Sequence, residues 1–194
     1  NKTIASAGIY IEQNAFENVQ NTEFVKKIEE EKGRIVWVGS HSDVDGQATG
    51  MAKYSLSAAR LLKDINSGGE QGMLIIDVKP ESIDNVLKDI NLGEGSELHL
   101  ISSDNTDIAY GVTNNETQLL DTTDANNTIT GQEFYKSIAD TQEESGSYTG
   151  DYKGKENLIL YNRIGKTGLI LVGLVPTANF AASVSGIARV TIIF

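Results

Sequence analysis

Cysteine is absent from the 194 residues, which removes disulfides, thiolate nucleophiles and cysteine-based zinc or iron–sulfur sites together. Histidine occurs only twice, too few to build a histidine-rich metal centre. Positive charge is also short: 16 Lys and Arg stand against 27 Asp and Glu, a formal net charge of −11. A surface of that sign repels phosphate backbones, and no basic cluster offers a local exception, so nucleic-acid binding is excluded. No apolar run reaches the roughly 18–20 residues of a membrane span, and the opening NKTIASAGIYIEQ lacks the charged-then-apolar pattern of a signal peptide. GxSxG, HExxH, P-loop and GxGxxG signatures are all missing. A triad drawn from Ser40, His41 and Asp43 would need adjacent positions, whereas triads are assembled from separate elements. No catalytic residue, metal ligand or cofactor is therefore assigned, and the chain is not expected to be an enzyme.

What is present is enough apolar content, 39%, for one ordinary domain or two small ones. An internal repeat favours two. EFVKKI (23–28) returns as EFYKSI (133–138), WVGSH (37–41) as YTGDY (148–152), SLSAARLLK (55–63) as LILYNRIGK (158–166), and GMLIIDVKP (72–80) as GLILVGLVP (168–176). The offsets are 110, 111, 103 and 96, with the differences falling in loops, and the third match aligns Arg60 with Arg163. PESIDNVLKDINLG spaces Ile83, Val86, Leu87 and Ile90 as a helix, with Pro80 in its first turn and Gly93 past its end. RIVWV, SLSAARLL, GMLIIDV, ELHLIS, ENLILYNRI and GLILVGLV read as strands, and DINSGGEQG and GKTG as hairpin connections. The expected organisation is a first lobe over 1–80, a connecting helix and linker over 81–95, and a second lobe over 96–194. The second lobe opens with an additional hairpin, ELHLIS–SDNT–DIAYG, which makes the first look clipped at its N-terminus. The run IARVTIIF (187–194) ends the sequence on rising hydrophobicity, as an excised piece of a larger protein would.

Three positions stand out chemically. Strand alternation puts Ile35, Trp37, Gly39 and His41 on one face, and a Trp beside glycines and a His lines a small-molecule pocket or plugs a small core. In GMLIIDV, Leu74, Ile76 and Val78 share one face, leaving Asp77 beside Met73 and Ile75 on the other. A carboxylate there must find a partner, either Arg60 on the neighbouring strand or a ligand's cationic or donor group. HSDVDG (41–46) imitates the start of a calcium loop, but His41 replaces the first carboxylate and Ala52 the closing one, so it reads as a polar loop. His99, alone in mid-strand, reads as structural.

Taken in order, EFVKKI, GRIVWVGSH, YSLSAARLLKD and GMLIIDVKPESIDNVL resemble the ligand-binding lobe of a double Cache sensor domain. GSELHLISSDNTDI and GKENLILYNRIGKTGLILVGLVPTANF are similar to its membrane-proximal lobe, and PTANF with VTIIF looks most like a methyl-accepting chemotaxis protein. The resemblance implies an α/β (α+β) chain of two tandem PAS-like lobes, each an antiparallel sheet flanked by helices, with an N-terminal stalk helix missing or truncated. It further implies an extracytoplasmic domain, extracellular or periplasmic, of a cell-membrane chemoreceptor. A metabolite would bind in the membrane-distal first lobe, with flanking membrane helices outside this sequence and a homodimeric full-length receptor. A histidine kinase sensor is the alternative, with an extracellular hydrolase or carbohydrate-processing module, or an adhesion domain, from other classes. The resemblance places Phe24, His41, Asp43 and Asp77 on motif positions, and together with Trp37, Tyr54 and Arg60 they make the expected ligand-binding set. Two departures accompany it: Asn21 and Thr22 stand where amino-acid-sensing members carry an Arg, and Val25 replaces a second aromatic. The expected ligand presents a cationic or donor group to Asp77 and stacks near Trp37.

Overall fold

A computed structural model describes residues 10–11, 15–39, 48–49 and 56–179 of the chain. The chain divides into two compact units, residues 1–83 with 102–106, and residues 84–101 with 107–194. In the first, α1 (Ala15–Val19) leads into α2 (Glu23–Glu30). Thr22 ends the loop before α2, its hydroxyl accepting from Val25 N, and Glu23 places negative charge at the positive end of the helix. Phe24, Val25 and Ile28 recur on one stripe, and that stripe is the buried one. Lys32 and Gly33 then take left-handed φ values of 52° and 97° and turn the chain into the sheet.

That sheet is antiparallel, in the order β2 (Val36–Gly39), β4 (Leu56–Lys63), β5 (Glu70–Val78), with a separate two-residue ribbon of β1 (Tyr10–Ile11) and β3 (Ala48–Thr49). The β4–β5 connection is held by Asp64, whose Oδ1 accepts from Asn66 N and Ser67 N at 2.8 and 2.7 Å, the Asx geometry its Asp-Ile-Asn-Ser-Gly-Gly sequence favours. Val36, Val38, Ala59 and Leu61 face α2 and close the core over Phe24, Val25 and Ile28, with Met73 and Ile75 at its margin.

The second unit is a six-stranded antiparallel sheet in the order β8 (Glu116–Leu119), β7 (Asp107–Thr113), β6 (Glu97–Ile101), β11 (Ile170–Pro176), β10 (Lys155–Arg163), β9 (Ser145–Tyr152). The helix α3 (Pro80–Leu87) enters it, and a 3-10 turn (Ala125–Asn127) precedes α4 (Glu133–Asp140). Tyr135 and Ile138 of α4 pack on Ile101, Ile159, Ile170, Val172 and Leu174. The opposite face, with Leu98, Leu100, Tyr110 and Val112 buried, meets Leu92 at Gly173 and the α3 carboxylate of Asp84, which accepts from the Tyr110 hydroxyl. Near-continuous apolar runs in β6 and β11 follow from a sheet covered on both sides. The mixed α/β class with antiparallel sheets flanked by helices is the one expected, and the strands and hairpins fall where turn residues placed them.

The internal repeat is real in order but slipped in register. Arg60 pairs with Leu74 and Arg163 with Ile170, so the offsets of 103 and 96 do preserve strand pairing. They do not preserve facing. In the first sheet α2 covers Ala59 and Leu61, leaving Arg60 on the other side, whereas in the second α4 covers Ile159 and Ile170, and Arg163 lies on that covered side. Arg163 Nη2 caps α4 by donating to the carbonyls of Ile138, Ala139 and Thr141 at 2.8, 3.0 and 2.8 Å. Arg60 and Arg163 are therefore not counterparts. Gly and Pro at strand ends drove the alignment, and a one-residue slip turns every side chain over.

Ile28→Ala and Ile138→Ala, at 0% and 1% exposure, should each cost about 2–5 kcal/mol in denaturant unfolding. Ile65→Ala, at 99% exposure, should stay within about 0.5 kcal/mol.

Candidate functional site

The first sheet has two chemically different faces. Across it, Val38, Ser57 and Asp77 form one row, on the α2 side with Ala59 and Leu61. Trp37, Ala58 and Ile76 form the adjacent row on the far side, followed there by Arg60 and Leu74. This separates the residues singled out in the sequence. Phe24 and Asp77 belong to the α2 side, Trp37 and Arg60 to the far side. His41, Asp43 and Tyr54 lie outside the described residues.

Phe24, 6% exposed, is part of the helix–sheet core. Helical spacing alone could not distinguish that role from a ligand-facing aromatic. Asp77 is exposed at the sheet margin and accepts a hydrogen bond from Ser57 Oγ at 2.6 Å, with Ser57 itself 0% exposed. Its partner among the described residues is thus neither Arg60 nor any other cation but the hydroxyl directly across the strand pair. Arg60 cannot reach round from the opposite face. Asp77 is also not on Trp37's side, so a ligand cannot stack on that ring and face that carboxylate from one surface of the sheet.

The far face carries donors. Trp37 Nε1 is buried and meets no acceptor among the described residues, in a setting where buried polar groups are nearly always paired. Arg60 supplies a guanidinium one cross-strand row away, exposed, and Leu74 and Ile76 lie exposed at 43% and 54% alongside. An indole N–H and a guanidinium with apolar neighbours favour a ligand with an acceptor or carboxylate rather than a cationic group.

The end of β2 is clamped by a turn the sequence pattern marked only as a hairpin tip. Asp104 accepts from Gly39 N through both carboxylate oxygens, at 3.1 and 2.9 Å, and from Ser102 Oγ. Ser103 Oγ donates to the Trp37 carbonyl at 2.6 Å. Burial pushes the Asp104 carboxyl up, but the donors from Ser102, Gly39 and Thr106 outweigh it and hold it below the ordinary range. A Cβ on Gly39 would sit 2.0 Å from Thr106 Oγ1, so only glycine admits the turn this close. Backbone and side-chain atoms 65 and 66 residues away thereby fix the strand that presents Trp37. In the second unit a groove of about 470 Å³ runs between α4 and β9, walled by Ser137, Thr141, Ser145, Ser147, Tyr148 and Tyr161. Among the described residues no cluster of three or more acidic, His or Cys side chains is placed to hold a metal.

No family model matches the sequence, and no curated protein matches it. Among solved structures, the extracellular domain of the putative histidine kinase mmHK1S-Z3 is 14% identical at a TM-score of 0.54, covering 87% of this chain and 58% of that one. The extracellular domain of the putative histidine kinase rpHK1S-Z16 is 15% identical at 0.49, covering 78% and 58%. The ligand-binding domain of Mlp24 with asparagine is 13% identical at 0.48, covering 86% and 60%. The chain thus spans less than two thirds of each structure's length, and at these identities the likeness is one of fold. The fold is the double Cache fold, a mixed α/β arrangement of PAS-like antiparallel sheets.

Asp77→Asn keeps an acceptor for Ser57 and should change stability by less than about 0.5 kcal/mol. Asp77→Ala strands the buried hydroxyl and should cost about 1–2 kcal/mol in denaturant unfolding. Equal effects from both would show that the Ser57 hydrogen bond is not what Asp77 contributes.

Proposed function

We infer that the chain is the extracytoplasmic ligand-sensing portion of a transmembrane receptor, and that a small metabolite binds on the far face of the first sheet. The observation that carries this is the buried Trp37 Nε1–H, without an acceptor among the described residues, on the face that α2 leaves to other groups. The double Cache fold shared with an extracellular receptor domain supports the setting. Residues 1–80 are the ligand lobe, and 96–194 the membrane-proximal lobe that leads to a transmembrane helix. No helix among the described residues is long and apolar enough to cross a membrane.

The ligand carries a carboxylate or comparable acceptor for Trp37 and Arg60, with an apolar portion against Ala58 and Ile76. It undergoes no reaction. Occupancy biases signalling only through differential affinity for two conformations of the receptor, so binding energy is the whole of the mechanism. The receptor is a chemoreceptor by the resemblance of PTANF and VTIIF. The likeness to mmHK1S-Z3 favours a second reading, a sensor histidine kinase. In the full-length protein, ligand-dependent receptor methylation marks the first and ligand-dependent autophosphorylation the second.

A thermal-shift screen of small carboxylates, amines and neutral metabolites should find its stabilising compounds among the carboxylates, since binding to the folded state alone raises its stability. Trp37 is the only tryptophan, so its emission should move on binding. Trp37→Phe and Arg60→Ala should each weaken binding about 10-fold, near the worth of one hydrogen bond to a charged group. Stabilisation confined to amines, or a bound compound that leaves Trp37 emission unchanged, would sink the proposal.

A further inference from the structure

The second unit buries a charged cluster that ligand binding in the first does not use. His99 lies at mid-strand in β6 with 0% exposure, on the sheet face packed by α4, opposite Ala109 of β7 and Val172 of β11. Its Nδ1 sits 3.0 and 3.1 Å from the two carboxylate oxygens of Asp107. Its Nε2 sits 3.4 Å from Glu97 Oε2, a charge contact without the alignment of a hydrogen bond. Each carboxylate is tied in turn to other elements. Asp107 Oδ2 accepts from Ile129 N at 2.9 Å and from Thr128 Oγ1 at 3.1 Å, fastening the segment before α4. Glu97 accepts from Lys153 Nζ at 2.7 Å and from the Tyr152 hydroxyl at 3.2 Å, fastening the β9–β10 turn. The Tyr152 ring stands edge-on to the imidazole at 6.5 Å.

We propose that His99, Asp107 and Glu97 form a proton-binding site that makes the second unit pH-responsive, releasing its proton as the medium turns alkaline. An imidazolium between two carboxylates donates from Nδ1 to Asp107, sets its Nε2–H charge against Glu97, and neutralises part of the charge of both. The neutral ring keeps one proton, and Asp107, within hydrogen-bond reach through both oxygens, retains it on Nδ1. Nε2 then turns a lone pair toward Glu97, a carboxylate that can only accept. Repulsion falls on Glu97 and through it on its contacts with Lys153 and Tyr152. The ionisable groups that face the cluster are thus Glu97 on the same strand, Asp107 on β7, Tyr152 on β9, Lys153 in the following turn, and Tyr135 from α4, which senses Asp107.

Burial pushes the His99 imidazole down, but Asp107 and Glu97 outweigh it and raise it above the ordinary 6.5. A proton held more tightly by the folded lobe than by the unfolded chain stabilises the fold. That contribution is complete below 6.5 and is lost as pH climbs through the folded lobe's higher value. In an extracytoplasmic receptor domain the site would expose the signal-bearing lobe to the pH of the medium. Only that consequence rests on the sensing proposal.

The test uses the whole 194-residue chain without ligand, so its outcome is separate from that of the carboxylate screen. Imidazole NMR signals, assigned with His41→Gln, should give His99 a titration midpoint above 6.5. Thermal unfolding between about pH 6 and about pH 9 should show a midpoint that falls more steeply in the native chain than in His99→Gln. Glu97→Gln, which keeps the Asp107 bond, should lower the His99 midpoint and flatten the slope, and serves if His99→Gln does not fold. A His99 midpoint at or below 6.5, a midpoint unmoved by Glu97→Gln, or equal slopes in native and variant chains would overturn the site.

Discussion

The packing of one short helix on one face of an antiparallel sheet decides the rest of the first unit. Once Val25 and Ile28 of α2 sit on Ala59 and Leu61, alternation dictates the orientation of every other side chain in the sheet. Ser57 and Asp77 must be on the helix side, and Trp37 and Arg60 must be on the other. No electrostatic attraction between Arg60 and Asp77 can compete, because turning either residue over would expose the core on that strand. The chemistry available to a ligand follows from this constraint, not from which charged residues the strands contain.

The two units spend buried polarity differently. In the first, the far face keeps an indole N–H without an acceptor among the described residues beside an exposed guanidinium, and β2 is held from its end by Asp104 and Ser103. An unmet donor on a strand anchored in that way suits a binding surface. In the second, carboxylates, imidazole, ammonium and phenol are paired across four elements beneath α4. Such a cluster costs desolvation and returns it through directed contacts, so its strength depends on the protonation of its central member. Arg163 is spent on three carbonyls at the end of α4, whereas Arg60 lies exposed on the far face of the first sheet.

Much of the fold is legible in the residues. Apolar spacing located α3, turn residues located the hairpins, and the ordered repeats pointed to two related lobes. The order of elements was correct even where the alignment was a residue out, since Gly and Pro mark strand ends but carry no information on facing. The candidate site was less legible. Phe24 and Trp37 look alike as lone aromatics near a strand, yet one is core and the other presents a donor on the far side. Asp104, Ser103 and Thr106 look like any polar turn, and their hold on Gly39 and Trp37 spans more than sixty residues of chain.

The absences met at the outset, of cysteine, of basic clusters and of catalytic motifs, bear on which chemistries the chain can host, and local pattern bears on its elements. Those properties belong to composition and to neighbours in the sequence, so the sequence by itself determined them. Which face each residue took, which partner Asp77 found, and that His99 lies between two carboxylates were settled only in tertiary structure. Strand pairing brings together residues with no sequence relation, and a shift of one position exchanges the two faces while leaving every local signal unchanged.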